Sequence, residues 1–245
     1  MSSLAAEPTA ISLTPLESSL FAYLLTVPSP PGSPWTLRVA GGWVRDKLLG
    51  HDSSDIDIAL DTCTGVAFAE RVVEHVERCP PKEEGGERNS KKPKTFATIQ
   101  SNPSQSKHLE TATLNLMGLS LDFVNLRSEE YAEGSRIPEV KFGTAKADAL
   151  RRDFTVNALF YNLSTSSVED FTSSGLADLR SKTLRTPLPT TETFLDDPLR
   201  LLRAVRFSTR LGLALHPDIS AAARDPDVRR GLKEKVSRER VAKEM

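Results

Sequence analysis

The segment 55–60, with the sequence Asp-Ile-Asp-Ile-Ala-Leu, is the feature that most restricts the fold of this chain. Its polar and apolar residues alternate with the period of two that a β-strand requires. Ile56 and Ile58 are therefore predicted to enter a core, while Asp55 and Asp57 point together to the opposite face. Two neighbouring carboxylates repel each other, so this pattern is costly unless a cation or a proton offsets the charge.

A pair of glycines lies thirteen residues upstream of this segment. Residues 37–40 predict a short buried strand that runs into Gly41 and Gly42, and residues 43–49 predict the helix that follows. The N-terminus of a helix offers free backbone N–H groups and the positive end of the helix dipole, which together bind phosphate. Arg45, in the first turn, adds a forked donor suited to phosphate oxygens.

Asp122 lies in the otherwise apolar segment 119–126, which predicts another strand. In isolation, an Asp-x-Asp pattern is more typical of a solvated turn, and a lone Asp in a strand is typical of a sheet edge that faces water. The phosphate-binding turn upstream favours a metal site over solvated aspartates. Asp55, Asp57 and Asp122 are then expected around Mg²⁺, a cation that takes oxygen ligands from carboxylates and from substrate phosphates.

Periodic segments divide the chain into an α+β part and a mostly helical part. The first 126 residues are expected to form a mixed sheet with flanking helices, and the further elements predicted there are helices at 14–27 and 66–79 and strands at 95–99 and 111–117. Thr14 and Glu17 are placed as a capping box. The elements predicted beyond residue 147 are helices at 147–159, at 198–211 and from 237 onward, a strand at 167–171 and a Pro/Thr-rich joint at 186–193. Segment 80–94, rich in Pro, Gly, Lys and Glu, predicts a mobile loop.

Composition excludes several other classes of protein. Two cysteines in 245 residues do not form a secreted disulfide framework or a metal site, and they favour a reducing compartment. The apolar stretch 20–27 is too short to cross a bilayer, so no membrane partner is predicted. No Lys or Arg precedes Arg38, which favours cytoplasmic residence, with mitochondrial and nuclear pools as open alternatives. The last helical pattern has no stop signal before Met245, which is typical of a shortened chain.

The predicted helix 198–211 combines a basic face with a preceding carboxylate. Arg200, Arg203 and Arg206 recur every three residues over an arc of about 120°. The opposite face, expected to pack, contains Leu201, Leu202 and Val205. A solvated basic face is the commoner explanation of such a helix.

Asp197 precedes Arg200 by three residues, so a carboxylate acceptor and a guanidinium donor are expected side by side. Cytosine and adenine both offer an exocyclic amine next to a ring nitrogen acceptor, which this pair complements. Uracil and guanine instead offer a carbonyl oxygen next to a ring N–H, so both protein groups would be mispaired. Each unpaired polar group costs roughly 1 to 3 kcal/mol, so two mismatches supply a discrimination of about a hundredfold or more.

Several segments, in order, resemble the signatures of one enzyme family. Residues 41–46 and 55–58 resemble the first signature of class II CCA-adding enzymes and of the related bacterial-type poly(A) polymerases, which are DNA polymerase beta-like nucleotidyltransferases. The other matching segments are 151–158, similar to the ribose-recognition signature; 175–187, similar to the hinge; 196–200, similar to the nucleotide template motif; and 236–241, similar to the helix that supports the template. Segments 100–113 and 121–131 look most like eukaryotic members. Asp196 departs from the family by replacing a Glu.

This resemblance implies a nucleotidyltransferase head with a mixed β-sheet, followed by an all-helical neck. The implied divisions are an N-terminal helix and linker (1–34), the head (35–163) and the hinge and neck (164–245). The implied reaction adds C, C and A to the tRNA 3′ end from CTP and ATP, and it releases pyrophosphate. In that reaction Asp55 and Asp57 would hold two Mg²⁺ ions with help from Asp122, and the segment 127–146 would shift between C and A addition.

The resemblance also assigns the nucleotide contacts. The residues implied are Gly41, Gly42, Arg45, Arg152, Asp153, Asn157, Asp197, Arg200, Arg203 and Arg206. Of these, Arg152, Asp153 and Asn157 would contact the sugar and phosphates. Arg203 and Arg206 would orient the base-reading pair or meet phosphates.

Two other functions stay open at this stage. A poly(A) polymerase would share every head signature and add A without a change of specificity. A non-catalytic nucleotide- or RNA-binding module would use the glycine turn as an ordinary phosphate nest and leave the aspartates in solvent. A Rossmann dehydrogenase is disfavoured because the turn lacks the Gly-x-Gly-x-x-Gly spacing.

Overall fold

The computed structural model of the protein describes residues 10–81, 97–99, 111–130 and 139–245. These residues form two compact units that interleave along the chain. The first unit contains the described residues up to Leu126 together with Phe160–Glu169, and the second contains the described residues of Arg127–Leu159 and Asp170–Met245. The head and neck boundaries expected from the sequence stay predictions. Among the described residues, no helix combines the length and apolar character that a membrane span needs.

The structure contains short strands and mostly short helices. In chain order the strands are β1 (Leu37–Ala40), β2 (Ile56–Leu60), β3 (Ala97–Ile99), β4 (Thr111–Leu116), β5 (Leu119–Asn125), β6 (Arg127–Glu130), β7 (Glu139–Phe142), β8 (Phe160–Asn162), β9 (Ser167–Glu169), β10 (Thr183–Leu184) and β11 (Ala214–Leu215). The helices are α1 (Pro15–Leu25), α2 (Gly42–Leu48), α3 (Gly65–Arg78), α4 (Ala145–Leu150), α5 (Gly175–Arg180), α6 (Thr190–Asp196), α7 (Leu199–Leu211), α8 (Pro217–Ala222), α9 (Pro226–Lys235) and α10 (Arg238–Glu244).

A seven-stranded mixed sheet forms the centre of the first unit, in the order β3-β4-β5-β2-β1-β8-β9. Strands β2 and β5 run parallel, and the other neighbouring pairs are antiparallel. This confirms the mixed sheet with flanking helices. The alternation that predicted β2 is also confirmed, because Ile56 and Ile58 are buried while Asp57, between them, is only partly covered.

Helices α1 and α3 begin at side-chain caps. Thr14 and Glu17 form the predicted capping box of α1, and Thr64 caps α3 by accepting from the N–H of Ala67. Glu17 also accepts a hydrogen bond of 3.2 Å from the indole N–H of Trp43 in α2. The helix that follows the glycine pair is therefore fixed to α1.

Helix α3 packs closely on β5, the strand that pairs with β2. The ring of Phe68, in α3, meets that of Phe123, in β5, edge to face with 5.1 Å between centroids. Both side chains are fully buried. A glycine is required where the helix begins, because a Cβ built on Gly65 would lie 2.1 Å from the carbonyl oxygen of Phe123.

The second unit is mostly helical, but the all-helical neck implied for residues 164–245 is wrong, because β10 and β11 lie within that range. Strands β10 and β11 form a short parallel pair. Strands β6 and β7 pair antiparallel within 127–146, a segment for which no strand is predicted from the sequence. In the core of the second unit, the rings of Phe154 and Phe207 pack edge to face, with centroids 5.8 Å apart.

The helix predicted at 147–159 is wrong beyond residue 150. Helix α4 ends at Leu150, a 3-10 turn covers Thr155–Asn157, and β8 follows. The physical reason lies at Asp153, whose side chain accepts a 2.8 Å hydrogen bond from the N–H of Phe154. A short polar side chain that binds a neighbouring backbone N–H competes with the helical ladder.

Two further predictions need correction. The Pro/Thr-rich joint at 186–193 ends earlier than expected, because α6 begins at Thr190. In α7, Val205 is 53% exposed and does not pack, whereas the buried residues are Leu199, Ala204 and Phe207. Of the predicted mobile loop, residues 82–94 lie outside the described residues, as do residues 95 and 96 of the strand predicted at 95–99.

Candidate functional site

Three carboxylates converge in the first unit. Asp57 in β2 and Asp122 in β5 are direct partners in the parallel ladder, and Asp55 immediately precedes β2. One carboxylate oxygen from each of the three residues lies within 4.8 Å of the others. The structure thus brings together the three acids that the sequence pattern singles out.

These three residues fit a divalent, oxygen-seeking cation. Mg²⁺ binds through one or two carboxylates and leaves positions for water and phosphate, and Asp55 is exposed while the other two are partly covered. One oxygen of Asp122 is fixed by a 2.6 Å hydrogen bond from the Thr113 hydroxyl. Within the described ranges, this is the only cluster of three or more possible metal ligands.

The glycine turn has the geometry that needs glycine. Gly41 has φ +73° and stands at the N-cap of α2, a backbone conformation that other residues adopt at a cost. Arg45 is buried, and its Nε donates to Asp46 at 2.8 Å. Its guanidinium is therefore in contact with a carboxylate, beside the turn that the sequence predicted as a phosphate site.

In the second unit, a buried carboxylate holds the two arginines that precede Asp153. Asp148 accepts from Arg151 on one oxygen, with distances of 2.9 and 2.6 Å, and from Arg152 on the other, with distances of 3.0 and 2.8 Å. Burial alone raises the pKa of Asp148, but the positive charges of Arg152 and Arg151 outweigh it, and the pKa lies below its usual value.

Asp153 is saturated with donors in a similar way. One oxygen accepts from the Asn157 amide at 3.1 Å as well as from a backbone N–H, and the other accepts from Arg203 at 2.8 Å. Burial raises the pKa of Asp153, yet Arg203 and Asn157 together hold it below its usual value. The structure therefore brings together three predicted nucleotide-binding residues, Asp153, Asn157 and Arg203.

The two residues predicted to read the base have separate protein partners. Asp197 accepts a 3.0 Å hydrogen bond from Arg240 in α10, and its other oxygen accepts from the N–H of Leu199. Arg200 donates to the carbonyl of Arg151 at 2.8 Å. Both side chains are thus anchored where α7 begins.

Helix α10 also binds two further arginines of α7, Arg203 and Arg206. Glu244 lies 3.6 Å from Arg203 and 2.7 Å from Arg206. The guanidinium of Arg206 lies over the ring of Phe207, 4.7 Å from its centroid. Arg203 and Arg206 are therefore half-buried and paired with acids, instead of belonging to a solvated basic face.

A cavity of about 230 Å³ lies beside Arg200 in the second unit. Its lining includes Arg151, Arg200, Glu192, Asp196 and Thr193. Charges of both signs thus line this space. Asp196, which stands where the resembling family has Glu, contributes to this lining.

Three residues of the second unit bind the predicted site residues but were not themselves predicted from the sequence: Asp148, Arg240 and Glu244. Asp148 precedes the arginine pair by three and four residues, a helical spacing that could have signalled the contact. Arg240 lies 43 residues from Asp197; residues 236–241 resemble the helix that supports the template, but no local pattern singles out the side chain that makes this contact.

Comparisons with known proteins agree on one family. Residues 37–185 match the family described as the Poly A polymerase head domain. The chain is 52% identical over 212 residues to the CCA tRNA nucleotidyltransferase, mitochondrial, of Saccharomyces cerevisiae, an alignment that covers 86% of this chain and 38% of the relative. The chain thus spans well under half the length of that curated relative.

Solved structures of CCA-adding enzymes also match this chain. A CCA-adding enzyme in apo form II matches with a TM-score of 0.72 and 26% identity over 95% of this chain and 49% of that one. A complex of CCA-adding enzyme with CTP matches with a TM-score of 0.65 and 28% identity over 95% of this chain and 46% of that one.

Proposed function

Because this chain belongs to the Poly A polymerase head domain family, we propose that it is the nucleotidyl-transferring part of a CCA-adding tRNA nucleotidyltransferase. The observation that carries the proposal is the convergence of Asp55, just before β2, with Asp57 and Asp122 on the adjacent parallel strands β2 and β5. A relative named as a CCA tRNA nucleotidyltransferase at 52% identity supports this choice over a poly(A) polymerase.

In the proposed reaction, the 3′-hydroxyl of tRNA loses its proton to solvent water, and its oxygen attacks the α-phosphorus of CTP or ATP. The bond to the β-phosphate breaks, and pyrophosphate leaves. Asp55 and Asp57 would hold two Mg²⁺ ions, and Asp122, oriented by Thr113, would assist. When bound there, Mg²⁺ supplies a Lewis acid that lowers the pKa of the attacking hydroxyl and offsets the charge of the departing pyrophosphate.

The residues of the chain would bind and orient the nucleotide. Gly41 and Gly42 would present backbone N–H groups to the phosphates, with Arg45 as a further donor. In the second unit, Arg152 and Asn157 would contact the sugar and phosphates beside Asp153. A bound phosphate would compete with Asp46 for the guanidinium of Arg45, which currently donates to that carboxylate.

Base selection is proposed for Asp197 and Arg200. Asp197 would accept from the exocyclic amine of cytosine or adenine, and Arg200 would donate to the adjacent ring nitrogen. Their anchors at Arg240 and at the carbonyl of Arg151 support this assignment, because both side chains are held in one orientation. A fixed acceptor and donor discriminate better than mobile ones, since their reorganisation costs nothing on binding.

The proposed partners are CTP, ATP and the 3′ end of tRNA. The relative named as mitochondrial supports a mitochondrial pool beside the cytoplasmic one expected from composition. Arg203 and Arg206, paired here with acids, would orient the base-reading residues.

The test is incorporation of labelled CTP and ATP into tRNA that lacks CCA, by the full-length protein with Asp55→Ala or Asp57→Ala. Each substitution should lower the rate by at least about a hundredfold, because a metal ion supplies several kcal/mol of transition-state stabilisation. Asp52→Ala is the matched control, since Asp52 is 92% exposed at its side chain and pairs with Lys47. Unchanged rates in the Asp55 and Asp57 variants would exclude the catalytic role.

The same assay separates the two nucleotidyltransferases. A CCA-adding enzyme incorporates two C residues and then one A. Incorporation of ATP alone, without a limit on its number, would instead identify a poly(A) polymerase. Absence of magnesium-dependent pyrophosphate release with every nucleotide would identify a non-catalytic binding module.

A further inference from the structure

Asp148 is a buried carboxylate of the second unit, and its side chain is 2% exposed. Each of its oxygens binds one guanidinium through both Nε and Nη2, Arg151 on Oδ1 and Arg152 on Oδ2. Oδ1 also accepts from the N–H of Arg127, where β6 begins. One buried side chain therefore joins two arginines and the start of a strand.

This arrangement fixes the arginines more tightly than single hydrogen bonds would. A guanidinium held through two N–H groups has both its position and its plane determined, and charge-assisted bonds are the strong ones. Arg152 has a third contact, from Nη1 to the carbonyl of Asn157 at 3.1 Å. Asn157 in turn donates to Asp153 at 3.1 Å.

We propose that Asp148 is a positioning residue for nucleotide recognition, which acts by holding Arg152 in the orientation that meets the sugar and phosphates. The inference rests on the proposed function, because it takes Arg152 as a nucleotide contact. Asp148 itself does not touch the nucleotide. Its buried charge offsets one arginine, so that the pair Arg151 and Arg152 retains one net positive charge for a phosphate.

The competing explanation is that Asp148 only stabilises the fold. Asp178 offers a matched control for that role, because it is also buried, accepts from the Thr155 hydroxyl at 2.7 Å and pairs with Arg185 at 3.3 Å. Loss of either carboxylate should lower the melting temperature. Only loss of Asp148 should change the affinity and selectivity for nucleotides.

The experiment measures binding of CTP and of 2′-deoxy-CTP by calorimetry in the presence of magnesium, which needs no tRNA. Asp148→Asn should raise the Kd for CTP about tenfold, since it loses charged hydrogen bonds to Arg152. The ratio of the Kd for 2′-deoxy-CTP to the Kd for CTP should fall toward one, because Arg152 is no longer held in the orientation that contacts the sugar. Asp148→Glu keeps the charge and should recover part of both effects, whereas Asp178→Asn should leave both unchanged.

A double substitution tests whether Asp148 acts through Arg152. Arg152→Lys keeps the positive charge but removes the planar guanidinium that Asp148 orients. In the Arg152→Lys background, Asp148→Glu should therefore weaken CTP binding much less than it does in the parent protein. This comparison remains available if Asp148→Asn does not fold. Additive effects would overturn the inference.

The outcomes distinguish the inference from the proposed function. If the parent chain binds CTP while Asp148→Asn binds it equally well, with the same preference over 2′-deoxy-CTP, the positioning role is wrong and the proposed function stands. If the parent chain binds neither CTP nor ATP, the proposed function fails, and the inference fails with it.

Discussion

Arg240 donates a 3.0 Å hydrogen bond from Nη2 to Oδ2 of Asp197, across 43 positions of the chain. Asp197 lies just before α7, and Arg240 belongs to α10. The other oxygen of Asp197 accepts from the N–H of Leu199. Both oxygens of the proposed base acceptor thus have a protein donor that determines where their remaining lone pairs point.

We therefore expect Arg240→Ala to relax base selection. With one anchor lost, Asp197 can rotate, and a mismatched base is no longer forced against a fixed acceptor. The ratio of kcat/KM for CTP to that for UTP should fall about tenfold, which corresponds to one charged hydrogen bond. The measurement is single-nucleotide incorporation on tRNA ending in its discriminator base.

Arg238→Ala is the control for this prediction, because Arg238 lies in the same helix and is exposed. It removes the same charge without touching Asp197, so it should leave the CTP to UTP ratio unchanged. An equal loss of selectivity in both variants would attribute the effect to net charge and would contradict the anchoring role of Arg240.

Thr113 should tune the metal affinity of the carboxylate cluster. Its hydroxyl donates to Asp122 at 2.6 Å, which orients one potential ligand. Thr113→Val keeps the shape but removes this donor, so we expect the magnesium concentration for half-maximal activity to rise about tenfold, the usual effect of losing a group that orients a metal ligand.

Thr113→Ser retains the hydroxyl and should behave like the parent in the same magnesium titration. The maximal rate at saturating magnesium should be nearly equal in all three proteins. A Thr113→Val variant with a lower maximal rate but an unchanged magnesium dependence would indicate that Thr113 has no influence on metal binding.

Local patterns predicted the elements that carry the carboxylates and failed where contacts are long-range. Ile56 and Ile58 alternate with Asp57, and that period alone identifies β2. By contrast, the helix predicted at 147–159 was wrong because a side chain at Asp153 captures a backbone N–H. Periodicity detects an apolar face, but it does not detect such a competitor.

The polar network of the second unit shows the same limit of local reasoning. Arg203 recurs at helical spacing with Arg200 and Arg206, a pattern that is typical of a solvated face. In the structure its partners are Asp153 and Glu244, which are 50 and 41 residues away in sequence. Tertiary packing of α10 against α7 decides the environment of these arginines, and no pattern within α7 encodes it.

Acid should destabilise the second unit through Asp148 and Asp153. Burial raises the pKa of each, but arginine partners lower both below the ordinary value of 3.8. A carboxyl group with a lowered folded pKa contributes stability that is present above its unfolded pKa and is lost as the pH falls through the folded one. The free energy of unfolding should therefore be constant above about pH 5 and fall below about pH 4.

Urea unfolding at pH 7, 5, 4 and 3 measures this dependence. Asp153→Asn should be less stable than the parent at pH 7, and its stability should fall less steeply between pH 4 and 3. Asp218→Asn, a change at an exposed carboxylate, should retain the slope of the parent. A parent protein that becomes more stable as the pH falls from 5 to 3 would contradict the ion pairs described for both buried aspartates.

Among the described glycines of the first unit, Gly65 should tolerate a side chain least. A Cβ there would lie 2.1 Å from the carbonyl oxygen and 2.8 Å from the carbonyl carbon of Phe123, and these backbone atoms belong to β5, an interior strand of the sheet. Neither partner can yield without moving α3 or the strand, so Gly65→Ala should cost about 3 kcal/mol or more in free energy of unfolding.

Gly118→Ala is the control, because it carries the cost of a positive φ without a steric clash. Gly118 has φ +83° and nothing within 4 Å of the added Cβ, so its substitution should cost only about 1 to 2 kcal/mol. Because β5 also carries Asp122, a folded Gly65→Ala protein should need more magnesium than the parent, whereas Gly118→Ala should not. Equal losses of stability in the two variants would show that α3 does not approach β5 as closely as described.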